Sequence, residues 1–304
     1  MTQKINLTKL ETENQNTRTM EIDTFSTSEI LEVINSEDQK VADAVAKTIP
    51  QITILVDEIV ERLSNGGRLF YIGAGTSGRL GFLDASECPP TYGVSYELVQ
   101  GIMAGGFEAL YKAKEGAEDD AELGVHDCKE RGLCDKDVLV GLAASGRTPY
   151  VIGALNYANE IGCYTGSIAC VSNSEIGKIA KVAIEALPGQ EVVTGSTRMK
   201  AGSCQKLILN MISTSAMIRL GKVYNNLMVD VKPTNIKLVN RAKGIIRKAT
   251  NCSEEEASQA FEAAGQSCKT AIFMIQSGKT KEESEAILDT YKGHLKEALR
   301  SISK

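Results

Sequence analysis

The 304-residue sequence has no tryptophan, two histidines (His126 and His294) and an aromatic share of only 5%. Few rings mean no stacking platform for bases. Lys and Arg together number 34 against 39 acidic residues, for a net charge of −5, and no basic cluster stands out, so a nucleic-acid partner is not expected. No stretch reaches the roughly 18 uninterrupted apolar residues of a membrane span. The opening MTQKINLTKLETENQN has no apolar core after its first charges, so no secretory leader is expected. Eight cysteines include no C-x-x-C pair, which argues against a zinc ribbon or a dithiol redox motif. In apolar company they read as small hydrophobes, and a reducing cytoplasm is the expected compartment. Two histidines leave little for a His-based metal site or a Ser-His-Asp triad. Acid–base chemistry therefore falls to carboxylates.

What is present is ordinary globular material, 42% apolar and 24% charged. The length suits about two domains at roughly 150 residues each. The first 25 residues are polar, with Thr27 or Ser28 expected to cap a short helix near Glu29. Apolar residues at helical spacing predict one helix over 38–63, stopped by Asn65-Gly66-Gly67. Five short apolar runs follow, at 68–72, 96–99, 137–142, 167–171 and a weaker one at 182–186, with helical patterns at 107–131, 149–161 and 174–180 between them. Strands alternating with helices predict an α/β fold, a doubly wound parallel five-stranded sheet. Residues 199–221 read as one long buried helix. Residues 253–301 read as three short amphipathic helices in a small C-terminal bundle. The expected divisions are an N-terminal segment at 1–56, a sheet domain at 57–222 and a helical domain at 247–304.

Three turns could hold an anion. Gly73-Ala74-Gly75-Thr76-Ser77-Gly78-Arg79 follows the first strand and opens a helix, where free N–H groups and the helix dipole favour negative charge. It fits G-x-G-x-x-G, but no carboxylate ends the second strand as a dinucleotide site requires. Walker A chemistry fails as well, since no Lys-Ser or Lys-Thr follows Gly78. Ser145-Gly146-Arg147-Thr148-Pro149 follows the third strand, with Thr148 at a cap and Pro149 at the first helical position. Both turns belong at the carboxyl ends of strands, where α/β ligands bind, and together they point to one phosphate held from two sides. Gly195-Ser196-Thr197-Arg198 precedes the long helix and forms a third hydroxyl-rich helix start, equally readable as an ordinary cap. Carboxylates occur at Asp84 and Glu87, before Pro89-Pro90, and in the run Glu115, Glu118, Asp119, Asp120, Glu122, which by itself reads as a solvated helix face. His126 reads as structural.

The strings GAGTSGRLGFLDASECPPTYG (73–93), AASGRTPYV (143–151), EVVTGSTRMKAG (191–202), QKLILNMIST (205–214) and NLMVDVKPTN (226–235) resemble the bacterial N-acetylmuramic acid 6-phosphate etherases. The resemblance runs from about residue 15 to the C-terminus, with Val231-Lys232-Pro233 slightly variant. It implies a SIS (sugar isomerase) domain that binds phosphosugars, cleavage of the ether joining D-lactate to C3 of the sugar, and a cytoplasmic role in cell-wall sugar recycling. It also implies a homodimer working without a metal or organic cofactor. The family's two carboxylates fall on Glu87, within ASECPPT, and Glu118, within EGAED. Glu87 is expected as the acid at the departing lactate and Glu118 as the base at C2, with the exchange of roles open. An acid acting at neutral pH implies that at least one carboxyl is shielded from water. The phosphate and sugar would be held by Gly75, Thr76, Ser77, Gly78, Ser145, Gly146, Arg147, Thr148, Ser196 and Thr197. Two other readings share these motifs: a phosphosugar-binding regulator resembling the glucokinase regulatory proteins, and a sugar-phosphate isomerase.

Overall fold

The computed structural model describes residues 11–233 and 235–302, so the first ten residues of the polar N-terminal stretch, and Thr234, lie outside the described residues. Helices α1 (Thr27–Asp38), α2 (Lys40–Ala46) and α3 (Ile49–Ser64) lead into strand β1 (Leu69–Gly73). The single helix expected over 38–63 is interrupted at Lys47 and Thr48, because Pro50 has no amide hydrogen to give the Ala46 carbonyl and its ring would clash with it; Pro50 instead sits in the first turn of α3. Ser26, not Thr27 or Ser28, caps α1: its hydroxyl accepts from the Glu29 amide while Glu29 reaches back, a complete capping box.

Helix α4 (Gly75–Tyr92) and strand β2 (Val99–Met103) follow β1, then α5 (Ala121–Glu130) and β3 (Val138–Leu142). Next come α6 (Pro149–Glu160), β4 (Tyr164–Ala169), α7 (Glu175–Ile179), β5 (Val182–Glu185) and the long α8 (Lys200–Arg219). The five strands are all parallel in the order β2-β1-β3-β4-β5. Every residue of β1 and β3 is buried, as strands covered on both faces must be. The helical pattern expected over 107–131 is helical only from Ala121; before it lie two short 3₁₀ turns, Phe107–Leu110 and Ala117–Asp119.

The two faces of the sheet are covered by different helices. Tyr71 pairs with Val140 and Gly73 with Leu142, so these residues share one face. Gly81 of α4 lies so close to Tyr71 and Leu142 that an added Cβ would stand 2.9 and 2.8 Å from them. Leu55 of α3 reaches the same side of β4 at Gly166. The opposite face carries Phe70, Ile72 and Leu139 under Val151 and Leu155 of α6. Each fully buried Leu or Ile here contributes about 1.5–3 kcal/mol.

The chain divides into two compact units. The first joins the described residues up to Ser86 with Glu97–Ser213, and holds the sheet. The second joins Glu87–Tyr96 to the described residues from Thr214 onward. It contains a two-stranded hairpin, β6 (Val223–Tyr224) and β7 (Leu227–Met228), and helices α9 (Ile236–Thr250), α10 (Glu254–Ala263), α11 (Cys268–Ser277), α12 (Lys281–Thr290) and α13 (Leu295–Ile302). The three helices expected over 253–301 are therefore four, since Lys292 and Gly293 take positive φ and break the last pattern. Phe261, Ile272, Phe273, Ile246 and Leu295 form the core of this unit. Among the described residues no helix is long and apolar enough to cross a membrane.

Candidate active site

The strand order itself marks a place for a ligand. From β1 the chain crosses to β2, while from β3 it crosses the other way to β4. The helices that follow, α4 and α6, leave on opposite faces, so a crevice opens between their N-termini at the carboxyl ends of β1 and β3. Both hydroxyl-rich turns stand there.

In the first turn, glycines bring the helix onto the strand end. A Cβ on Gly78 would lie 2.4 Å from the Gly73 carbonyl oxygen and 2.5 Å from Met103 Sδ. Gly75 has open space around it but φ +54, so its role is backbone conformation. The Gly78 amide donates to Ala74 O at 3.1 Å. Ahead of it, the amides of Gly75, Thr76 and Ser77 precede the helix's own acceptors and can meet an anion. Ser77 is buried, and its hydroxyl donates to Gln205 Oε1 at 2.8 Å.

In the second turn Gly146 takes φ +68 and packs against Ser174, where a Cβ would come within 2.4 Å. Thr148 stands at the N-cap of α6 with Pro149 after it, but its side chain makes no cap hydrogen bond. Ser145, Arg147 and Thr148 are half-buried, with side-chain groups that have no hydrogen-bond partner among the described residues. These groups remain available to a ligand.

The third turn differs from the other two. The start of α8 is already occupied by an anion of the chain itself: Glu191 accepts from the Lys200 amide at 3.0 Å and the Ala201 amide at 2.9 Å. Burial pushes the Glu191 carboxyl up, and those amides oppose the rise. The Lys200 and Ala201 amides are therefore already taken. Ser196 and Thr197 lie half-buried in the preceding turn. Their neighbour Arg198 lines a concavity of about 480 Å³ with Thr76, Leu80, Gly202 and Lys206. Arg198 and Lys206 are cations near the first turn that sequence reasoning left out, although Arg198 stands inside a motif.

The acidic run separates into distinct roles. Asp120 caps α5, accepting from the Leu123 amide at 3.0 Å. Glu118, exposed on the Ala117–Asp119 turn, lines a cleft of about 190 Å³ with Ala74, Gly75, Arg79, Lys114 and Glu115. Glu115, Asp119, Asp120 and Glu122 are exposed, as expected of solvated neighbours, but of these only Glu122 lies within α5. Glu118 and the first anion turn share one cleft. Arg79 forms part of its wall, donating through Nε to Leu110 O at 2.8 Å and through Nη2 to Ala109 O at 2.7 Å. Lys114, a second cation there, carried no sequence signal beyond its charge.

Asp84 and Glu87, adjacent in one motif, have separate fates. Asp84 is buried; it accepts from Asn210 Nδ2 at 2.7 Å and Ser213 Oγ at 3.1 Å, tying α4 to α8. Burial pushes its carboxyl above the usual range, against the lowering effect of those donors. Glu87 is exposed near the end of α4, among residues of the second unit. Pro89 and Pro90 lie inside that helix, although proline is a poor helix former. The shielding expected for at least one of Glu87 and Glu118 is not supplied within the single chain, where both are exposed. One trio among the described residues, His126, Asp127 and Glu130, could gather around a cation, though Asp127 already accepts from the Tyr150 hydroxyl at 2.5 Å.

The sequence is 56% identical over 300 residues to an N-acetylmuramic acid 6-phosphate etherase of Clostridium beijerinckii, covering 99% of both chains. It is 55% identical over 298 residues to the etherase of that name from Clostridioides difficile, covering 98% of both. The chain belongs to the N-acetylmuramic acid 6-phosphate etherase family. A sequence model described as the glucokinase regulatory protein N-terminal SIS domain matches residues 51–159, which in this etherase-family chain span both hydroxyl turns and Glu118. A solved phosphoheptose isomerase from Francisella tularensis aligns with 16% identity and TM-score 0.49, covering 64% of this chain and 100% of that one. The family assignment rests on the sequence relatives.

Proposed function

We propose that this chain cleaves the lactyl ether of N-acetylmuramic acid 6-phosphate, consuming water and releasing N-acetylglucosamine 6-phosphate and D-lactate. The observation that carries this reading is identity of 56% to an etherase over 99% of both chains. The site supports it chemically. Direct hydrolysis of an alkyl ether is slow because an alkoxide leaves badly. In the open-chain sugar the C2 proton lies α to the C1 aldehyde and can be removed. The resulting enolate expels the C3 oxygen once an acid protonates it, and water then adds to the unsaturated aldehyde at C3. The path calls for a base, an acid and a phosphate anchor.

Glu118 is the base at C2, a role supported by its place in the same cleft as Gly75. Glu87 is the acid at the lactate oxygen and later directs water to C3. The first-turn amides, Ser77, Ser145, Gly146, Arg147 and Thr148 hold the 6-phosphate, whose binding energy fixes C2 and C3 for reaction. Thr76, Ser196 and Thr197 line the sugar side of the same site. A second copy of the chain supplies the water exclusion that exposed Glu87 and Glu118 lack. Exposed apolar side chains on α4 (Leu83) and α8 (Met211) support such a homodimer. We assign the reaction to the cytoplasm and to the recycling or catabolism of cell-wall sugars.

Incubation with N-acetylmuramic acid 6-phosphate tests the reading. Release of D-lactate is expected, with solvent oxygen entering at C3 and solvent hydrogen at C2. A regulator would bind without releasing lactate, and an isomerase would leave the ether intact. Either result overturns the proposal.

A further inference from the structure

Gln205 leaves half of its amide unpaired in the interior. The residue is 1% exposed, its Oε1 accepts the Ser77 hydroxyl at 2.8 Å, and its Nε2 is buried without a partner among the described residues. Ser77, 7% exposed, belongs to the first turn of α4, while Gln205 lies on α8, 128 positions away. Buried N–H groups are rarely left orphaned, and a long-range contact that satisfies only one end of an amide is a poor structural fastener.

The chemistry of the hydroxyl gives the arrangement a meaning. Ser77 Oγ carries one proton and two lone pairs. While that proton points to Gln205 Oε1, the serine can offer a phosphoryl group nothing but lone pairs, which repel it. Rotating the amide by half a turn exchanges oxygen and nitrogen within the same volume. Nε2 then donates to Ser77 Oγ, and the serine proton is released toward the anion. The unpaired groups are then the carbonyl and one N–H, in place of two N–H groups.

We infer that Gln205 is a positioning residue that sets the direction of the Ser77 hydroxyl proton and thereby the grip of the first turn on the substrate's phosphoryl group. This rests on the reading that the turn at residues 75–78 binds that phosphate. A bound anion interacts with the released proton and not with the withheld one, so binding itself draws the amide over.

The test uses the full chain, with kcat and KM measured separately on N-acetylmuramic acid 6-phosphate, inorganic phosphate as competitive inhibitor, and thermal unfolding as a check on folding. Ser77→Ala should raise KM by about tenfold, the effect of one lost hydrogen bond to a charged group. An unchanged KM there removes the underlying phosphate reading. Gln205→Met, which withdraws the amide, should raise KM about threefold, and Gln205→Glu should raise both KM and the phosphate inhibition constant more than about tenfold, with kcat nearly constant. An ionised carboxyl can only accept, so it withholds the serine proton and adds a repelling charge. The KM of Gln205→Glu should accordingly climb with pH more steeply than the parent's as the introduced carboxyl ionises. If Ser77→Ala raises KM but the Glu variant binds as well as the Met variant, the inference fails while the phosphate reading stands. Should the Glu variant not fold, the Gln205→Met and Ser77→Ala double variant decides. Non-additive effects on KM are expected, and additive ones overturn the inference.

Discussion

Lys200 Nζ lies 2.7 Å from Glu37 Oε2 with both side chains buried, joining the last turn of α1 to the first residue of α8. The other Glu37 oxygen accepts from Arg18 and Lys40, each at 2.7 Å, and Lys200 also donates to Pro188 O at 3.1 Å. This network fastens the N-terminal segment to the stretch that presents Ser196, Thr197 and Arg198. A buried ion pair adds less to stability than its removal by halves takes away, because the surviving charge is left alone in a poor solvent.

Glu37→Gln should therefore destabilise the fold by about 3–5 kcal/mol near neutral pH, as loss of one partner of a buried pair does. Burial pushes the Glu37 carboxyl up, but hydrogen bonds and charge from Lys200 and Lys40 outweigh it and hold it at about 2 against an ordinary 4.5. A carboxyl held low in the folded state stabilises above its unfolded pKa, and that stabilisation fades as pH falls toward the folded value. The contribution, on the order of 3 kcal/mol, is complete above about 4.5 and lost toward about 2. Urea unfolding from pH 7 to pH 3 measures it. A Glu37→Gln chain whose acid sensitivity in that window matches the parent's would show that the pair contributes nothing.

Glu118→Gln and Glu87→Gln should each lower kcat by about two to four orders of magnitude, the usual effect of deleting a general acid or base. Substrate binding, carried by the hydroxyl turns, should largely survive. Heavy-water exchange at C2 separates the roles: a lost base abolishes exchange, whereas a lost acid leaves C2 exchanging without lactate release. If Glu87→Gln is the variant that stops exchange, the assigned roles are reversed. Near-normal turnover in either variant removes that residue from the mechanism.

Much of the architecture was readable where burial alone decides it. The runs at 68–72 and 137–142 are central strands covered on both faces, and they became β1 and β3 with shifts of a residue or so. The edge was harder. The run at 96–99 is not the strand: Tyr96 is 72% exposed, and β2 begins at Val99 and contains Gln100 and Gly101. Gly101 breaks the apolar pattern because Phe82 of α4 approaches within 2.5 Å of where its Cβ would be, a tertiary constraint with no local trace. Similarly, the apolar run at 167–171 predicts the fourth strand, but β4 begins at Tyr164 and ends at Ala169. At the site, turn chemistry marked Gly75 to Gly78 and Ser145 to Thr148 because glycine and hydroxyl spacing is local. The partners of those residues were illegible, since Gln205 meets Ser77 and Asn210 meets Asp84 only after α8 packs on α4.

Gly78→Ala should disturb the first turn more than a surface glycine change does. The added methyl would lie 2.4 Å from Gly73 O, a backbone atom that cannot rotate aside. Helix α4 must then move off the end of β1, carrying the Thr76 and Ser77 amides with it. A loss of about 1–3 kcal/mol in stability is expected from such overpacking, together with weaker competition by inorganic phosphate. Gly116→Ala tests the opposite case, since it combines open space with φ +78. Its cost should be backbone strain alone, and phosphate competition should stay unchanged. Equal phosphate affinity in the two variants would deny the first turn its part in binding.

Arg79→Met isolates the support of Glu118. The guanidinium holds the carbonyls of Ala109 and Leu110, on the 3₁₀ turn that leads toward Glu118. Methionine keeps much of the stem's bulk but removes two charge-assisted hydrogen bonds, each worth about 1.5–3 kcal/mol. The segment 107–118 should then open more often, and its amides should exchange with solvent faster, while amides in β1 and β3 keep their protection. Because a base displaced by about 1 Å can cost roughly a hundredfold, kcat should fall by one to two orders of magnitude. Hydrogen exchange followed by mass spectrometry distinguishes the two ways Arg79 could matter. Lower activity with unchanged exchange over 107–118 would mean that Arg79 touches the substrate directly instead of holding the segment in place.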